Sequence, residues 1–110
     1  EGLYIIKPSP GGNLDTEDES VIPENYELKQ NYPNPFNPTT QIQYELPLAG
    51  EISLTLYNTL GIEVMQLDKG IKSAGIHNIS FDGSHLPTGI YFYQLRTGSF
   101  VKTRKMSLIK

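Results

Sequence analysis

Asn31-Tyr32-Pro33-Asn34-Pro35-Phe36-Asn37-Pro38-Thr39-Thr40 is the stretch on which the reading of this chain turns. Pro33, Pro35 and Pro38 each fix their own φ and remove a backbone donor. Each also pushes its predecessor out of the helical region, so Tyr32, Asn34 and Asn37 are expected in extended or turn conformation. The side chains of Asn34 and Asn37 are expected to close local Asx-turns. The product is a stiff, irregular ribbon that cannot serve as a central strand. Tyr32 and Phe36 are its apolar anchors, expected to fold back onto a core. Before the ribbon the chain is acidic and poorly patterned; after it, apolar and polar residues alternate almost to the last position.

Working downstream, Thr40, Ile42, Tyr44 and Leu46 alternate with Gln41, Gln43 and Glu45, the period of a half-buried strand. Ile52, Leu54 and Leu56 alternate with Glu51, Ser53 and Thr55, and the turn at residues 47–50 predicts that the two strands form a hairpin. Asn58-Thr59-Leu60-Gly61 is a turn in which Gly61 can take positive φ. Residues 62–67 read as a strand of mixed parity, with Ile62 and Val64 on one face and Met65 and Leu67 off it, which a bulge would reconcile. Residues 69–75 read as a Gly-flanked loop. Ile79 and Phe81 share a face of the strand at 76–81. Asp82-Gly83 and Leu86-Pro87-Thr88-Gly89 are turn signals. Tyr91, Tyr93 and Leu95 alternate with Ile90, Phe92, Gln94 and Arg96. Thr97-Gly98-Ser99 is a tight turn into a last strand at 100–109, with Met106 and Leu108 on its inner face. With a short first strand within 26–30, this makes about seven strands, turns every 8–12 residues and no helical period. It predicts an all-β fold, an immunoglobulin-like antiparallel β-sandwich, which length and turn spacing fit better than the alternative of a closed barrel.

Working upstream, residues 3–6 form a short apolar run that reads as the last strand of a preceding domain. Residues 9–25 hold almost no apolar residue and read as a flexible acidic linker. The expected division is 1–25 for the end of a preceding domain and the linker, and 26–110 for a single folded domain. The acidic run at 15–19 lacks the glycine and spacing of a calcium loop. The chain lacks an initiator Met and reads as the C-terminal piece of a longer protein.

The 110 residues include no cysteine, so neither a disulfide framework nor a thiolate metal site exists. No apolar run approaches the roughly 20 residues of a membrane helix, and no membrane insertion is expected. The net charge of −3 hides a split, since residues 28–110 hold eight bases against five acids. That excess is too small and scattered to predict nucleic-acid binding.

Signals for chemistry are few. His77 and His85 have no acid at catalytic or ligand spacing and read as exposed polar residues. Carboxylates in the folded part stand singly, at Glu45, Glu51, Glu63, Asp68 and Asp82. No enzyme and no cofactor is expected. Tyr91, Phe92 and Tyr93 invite comparison with a sugar-binding platform, but alternation turns both tyrosines inward. Asn34-Pro35-Phe36 matches a tripeptide ligand of endocytic adaptors, a weak signal that the flanking prolines explain. From Arg96 onward there are five bases and no acid. This pattern fits an edge strand guarded by lysines, or a recognition strand.

Residues 31–40, followed by Ile42-x-Tyr44-x-Leu46-Pro47, resemble the opening of the type A C-terminal sorting domain of the type IX (Por) secretion system. The likeness continues through Tyr57-Asn58-Thr59-Leu60-Gly61, Ala74-Gly75 and Leu86-Pro87-Thr88-Gly89-Ile90-Tyr91 to Lys105-Met106-Ser107-Leu108-Ile109-Lys110. The domain is also similar to the immunoglobulin-like domain of the flagellar hook-capping protein. The resemblance implies a non-catalytic sorting signal on a larger secreted cargo of the kind found in Bacteroidetes. Such cargo passes the periplasm and then the outer-membrane translocon. A sorting peptidase and attachment machinery commonly follow, so the protein ends secreted or on the cell surface. By position, Lys105, Met106, Leu108 and Lys110 match the segment tied to translocon recognition. Tyr32, Pro33, Pro35, Phe36, Pro38, Gly61, Gly89 and Tyr91 match structural motifs. The other readings are an accessory glycan-binding module of an extracellular hydrolase and a plain structural spacer.

Overall fold

The computed structural model describes residues 22–110. The expectations for residues 3–6, the acidic run and most of the linker lie outside the described residues. Seven strands follow in order: β1 (Glu27–Leu28), β2 (Thr39–Leu46), β3 (Gly50–Tyr57), β4 (Glu63–Lys72), β5 (Gly75–Asp82), β6 (Gly89–Thr97) and β7 (Phe100–Leu108). They form two sheets, β1-β2-β5 and β4-β3-β6-β7, with every neighbouring pair antiparallel. The fold is the expected seven-stranded β-sandwich.

The period-two alternation builds the core directly. Ile42, Tyr44 and Leu46 from one sheet face Ile52, Leu54, Leu56, Tyr93, Leu95, Met106 and Leu108 from the other, and all are at most 2% exposed. Successive side chains of a pleated strand leave on opposite faces, so each apolar set lands inside together. Turn chemistry sets the two hairpins. Gly61 takes φ 79° after Asn58, whose Oδ1 accepts from the N–H groups of Leu60 and Ile62. Gly98, at φ 58°, closes β6 onto β7.

Four expectations about local structure are corrected. The strands β2 and β3 do not form a hairpin, because residues 47–49 carry the chain from one sheet to the other. Alternation reports only that each strand buries one face, and two strands stacked across a core satisfy it as well as two paired ones. The stretch 69–75 is not a loop, because β4 runs on to Lys72 and β5 starts at Gly75. Tyr32 is 79% exposed rather than an anchor. Its backbone pairs with Gln41, an outward-facing β2 residue, so its ring is turned outward with it. Asn34 closes no local turn. Its Oδ1 accepts from the backbone N–H of Ser107 at 2.9 Å. Asn31 makes the local bond instead, donating from Nδ2 to the Pro33 carbonyl at 3.0 Å and to Thr40 Oγ1 at 3.1 Å. Phe36 is buried as expected.

The mixed parity of β4 resolves as a bulge would have it. Leu54 pairs with Asp68 but Thr55 with Gln66, and Leu56 with Met65 but Tyr57 with Glu63. One β4 residue is skipped at each shift, and the skipped residues, Leu67 and Val64, are the two that pack against the core. Ile62 and Met65 stay exposed.

Candidate functional site at the C-terminal strand

The last strand is an edge of the four-stranded sheet, and its edge is half covered. Residues of even number in β7 spend their backbone groups on β6, which leaves 101, 103, 105, 107 and 109 facing outward. The proline ribbon fills the far half of that row. Phe36 N–H donates to the Ser107 carbonyl at 2.9 Å, and Ile109 N–H donates to the Phe36 carbonyl at 3.0 Å. Asn34 takes the Ser107 N–H, and Gln30 Nε2 donates to the Lys105 carbonyl at 2.6 Å. The prolines permit this because a ribbon without regular N–H groups can touch an edge at chosen points without becoming another full strand.

Further ties join this edge to β1. Arg104 Nε donates to the Leu28 carbonyl at 2.9 Å. Tyr93, on the neighbouring β6, is fully buried. Its hydroxyl accepts from Asn31 N–H and donates to the Lys29 carbonyl, both at 2.7 Å. Burial pushes the Tyr93 phenol up to about 12. Tyr26 stacks on Phe100 with ring centroids 5.4 Å apart. A cavity of about 350 Å³ lies along this seam, lined by Tyr26, Leu28, Phe100, Lys102 and Arg104 among others.

The four residues that the resemblance to sorting domains implies for recognition fall into two pairs. Met106 and Leu108 are fully buried, and Leu108 packs beside Phe36 and Gly83. Lys105 and Lys110 are exposed. Lys110 Nζ donates to the Ser84 carbonyl at 2.8 Å, which ties the end of the chain to the β5–β6 loop. Beside it, Ser84 N–H donates to Asp82 Oδ1. That bond holds the Asp82 carboxyl below its ordinary range, helped by the charges of His85 and Lys110. The folded surface at this end therefore comprises Lys105 and Lys110, the loop at 82–85 and the ribbon. Met106 and Leu108, between the lysines, hold the strand to the core.

The structural-motif residues are dispersed. Pro33 and Pro35 are exposed with Tyr32 on the ribbon, and Pro38 is half-buried there. Gly61 lies in the β3–β4 turn. Gly89 opens β6, followed by Tyr91, whose hydroxyl donates to the Pro87 carbonyl at 2.6 Å. The ties made by Gln30, Asn31, Tyr93 and Arg104 had no signal in the sequence beyond the inward parity of Tyr93. Their partners lie more than 60 positions away.

Other groups add little chemistry. His77 is not simply exposed. It is half-buried and stacks on Tyr44 with centroids 5.1 Å apart, because the β2–β5 register sets the two opposite each other. Tyr44 also donates to Asp68 Oδ2 at 2.8 Å, bridging the two sheets. Burial and the Asp68 carboxylate raise the Tyr44 phenol far above its ordinary value. His85 is exposed. Tyr91 and Tyr93 face the core, while Phe92 pairs across the outer face with Tyr57 above an open cavity of about 420 Å³.

Two comparisons bear on this arrangement. A family model described as a secretion system C-terminal sorting domain matches residues 30–110. No curated protein matches the chain.

Proposed function

The chain belongs to the secretion system C-terminal sorting domain family, and on that premise we propose that its folded C-terminal end is the surface the type IX machinery reads. The family assigns a C-terminal sorting signal, a module without catalysis, and with it dealings with the secretion machinery and a secreted or cell-surface destination. The finer reading is that Lys105 and Lys110 make the contact with the translocon. Met106 and Leu108 act through the fold by holding those lysines at fixed positions. Cargo would pass through the periplasm, and removal of the domain would fall in the acidic stretch before Tyr26, followed by release or surface attachment. The observation that supports this reading is the placement of both lysines on the surface of a strand end laced to the ribbon and to Ser84. A module that serves unrelated cargo must be recognised through its own fold, and such a laced end has the same shape on every cargo.

The test is export of a fluorescent reporter fused ahead of the full 110-residue chain, behind a signal peptide, in a bacterium with an active type IX system. Deleting the last four residues would remove the buried Leu108 and two bonds to Phe36, so loss of export would report unfolding. The cleaner comparison is Lys105→Ala with Lys110→Ala, whose side chains are exposed. Export of the parent and retention of the folded double variant is the expected result. Equal export of both refutes the role of the lysines. Retention of both refutes the sorting reading. The outer-face pair of Tyr57 and Phe92 favours one rival, a glycan-binding module. Calorimetric titration with soluble plant and bacterial polysaccharides tests it.

A further inference from the structure

Among the described residues the sandwich has four strand edges, and three of them are blunted. The edge strand β1 is two residues long. Two register shifts twist β4, and Lys69 and Lys72 decorate it. The ribbon covers half of β7, and Lys102, Arg104 and Lys105 charge it. These are the usual devices against edge-to-edge pairing. The remaining edge, β5, has none of them. Its eight residues pair with β2 without a shift, and it contains no proline and no Lys, Arg or Glu. Its one carboxylate is the terminal Asp82.

The direction of its free backbone groups follows from β2. Gln41 exchanges both backbone bonds with Tyr32, and the Gln43 carbonyl accepts from Lys29 N–H. Odd-numbered β2 residues therefore face the ribbon and β1, and even-numbered ones face β5. Their partners Gly75, His77, Ile79 and Phe81 are consumed in the ladder. Gly83, which donates to the Pro38 carbonyl at 2.8 Å, continues the pattern. Ile76, Asn78, Ser80 and Asp82 thus turn their N–H and C=O groups to the open edge.

We propose that this edge pairs antiparallel with the β5 of a second copy of the chain, joining two three-stranded sheets into one. A two-fold axis at Ile79 sets Asn78 opposite Ser80 of the second copy and Ile76 opposite its Asp82. Every outward backbone group then falls in a hydrogen-bonded pair. On the inner face Ile79, half-buried in the single chain, meets its own counterpart, and His77 meets Phe81. No like charges oppose one another, and the two Asp82 carboxylates sit at opposite ends. Charge disfavours the competing self-pairing of β7, which would align Lys102, Arg104 and Lys105, whereas β5 carries no such like charges. The pairing is separate from the sorting reading and brings two C-terminal ends onto one particle, which raises avidity for any receptor of that end.

Sedimentation velocity of the full chain, from about 1 μM to about 1 mM, reads the association directly. Ser80→Pro removes one outward N–H and leaves the β2 ladder whole. Ser80→Ala is the side-chain control, and Thr103→Pro removes an outward N–H from β7. The parent, Ser80→Ala and Thr103→Pro are expected to dimerise alike, with Ser80→Pro weakened about tenfold or more. Asn78→Lys sets two lysines diagonally across the axis, so its dimer should weaken and recover with salt. Amide exchange at Ile76, Asn78, Ser80 and Asp82 should slow as concentration rises. A chain that stays monomeric throughout overturns the proposal, as does a Ser80→Pro dimer as tight as the parent. A monomeric chain whose export fails in Ser80→Pro also overturns it, by assigning the edge to a strand of the secretion machinery. Each of these outcomes is distinct from the lysine result.

Discussion

Replacing Tyr93 with Phe removes one oxygen atom and leaves the packing of the ring intact. The oxygen joins β6 to the entry of the ribbon by accepting from Asn31 N–H and donating to the Lys29 carbonyl, each at 2.7 Å. Tyr93 is fully buried and Asn31 is 2% exposed. Water therefore has no ready access to the Asn31 N–H that the substitution orphans. Two lost bonds at about 1 kcal/mol each, plus the orphaned donor, give a destabilisation of about 2–4 kcal/mol. For a domain of this size that lowers Tm by roughly 10–25 °C. Thermal and urea unfolding followed by circular dichroism would measure it, with Tyr91→Phe as the internal standard. The Tyr91 hydroxyl makes one bond, to the carbonyl of the exposed Pro87, and its loss should cost about 1 kcal/mol. If Tyr93→Phe falls no further than Tyr91→Phe, the claim that this hydroxyl holds the ribbon to the sandwich is wrong.

The same phenol sets an alkaline limit. Its folded value of about 12 stands above the ordinary 10.0, so the folded state keeps the proton longer than the unfolded chain does. Stability from this group is whole below pH 10 and is lost as pH rises from 10 to 12, by at most about 1.4 kcal/mol per pH unit. Tyr44 adds loss in the same direction. Melting temperature against pH should slope down there, less steeply in Tyr93→Phe, and a flat profile contradicts the burial argument. Gly83→Ala would set a Cβ 3.2 Å from Phe36 Cε2 and 3.3 Å from Leu108 Cδ2. It should cost about 1–3 kcal/mol by overpacking, and an unchanged urea midpoint would show that the ribbon yields freely. Met106→Ala should lose about 2–5 kcal/mol while Lys105→Ala stays within about 0.5 kcal/mol. Unfolding curves that rank them the other way would reverse the assignment of core and surface at this strand. Phe36→Ala should cost about 3–5 kcal/mol and speed amide exchange at Ile109, whose N–H is held by the Phe36 carbonyl. Slow exchange there would mean the ribbon stays without its anchor.

What the sequence determined by itself is the set of faces. Ile42, Tyr44 and Leu46, then Ile52, Leu54 and Leu56, then Tyr91, Tyr93 and Leu95, then Met106 and Leu108 all go inside as alternation says, because the pleat is a local property of an extended chain. The turn at Gly61 is local for the same reason, since left-handed φ is cheap only for glycine. The resemblance to sorting domains was equally a matter of linear spacing. The tertiary structure decided which faces meet. Alternation is equally satisfied by pairing within a sheet and stacking between sheets, so residues 47–49 read as a hairpin turn and are a crossing. Tyr32 reads as an anchor because it is aromatic beside a proline, and the register with Gln41 turns it to solvent. Asn34 reads as a turn former, and Ser107, 73 positions later, takes its oxygen. At the candidate site, Lys105 and Lys110 were legible as basic residues at a strand end. Alternation likewise set Lys105 apart from the buried Met106 and Leu108, whereas the bond of Lys110 to Ser84 and the covering of that edge by the ribbon depend on contacts between chain segments remote in sequence. Such contacts are chosen by how the whole chain closes its core, a choice that no local pattern encodes.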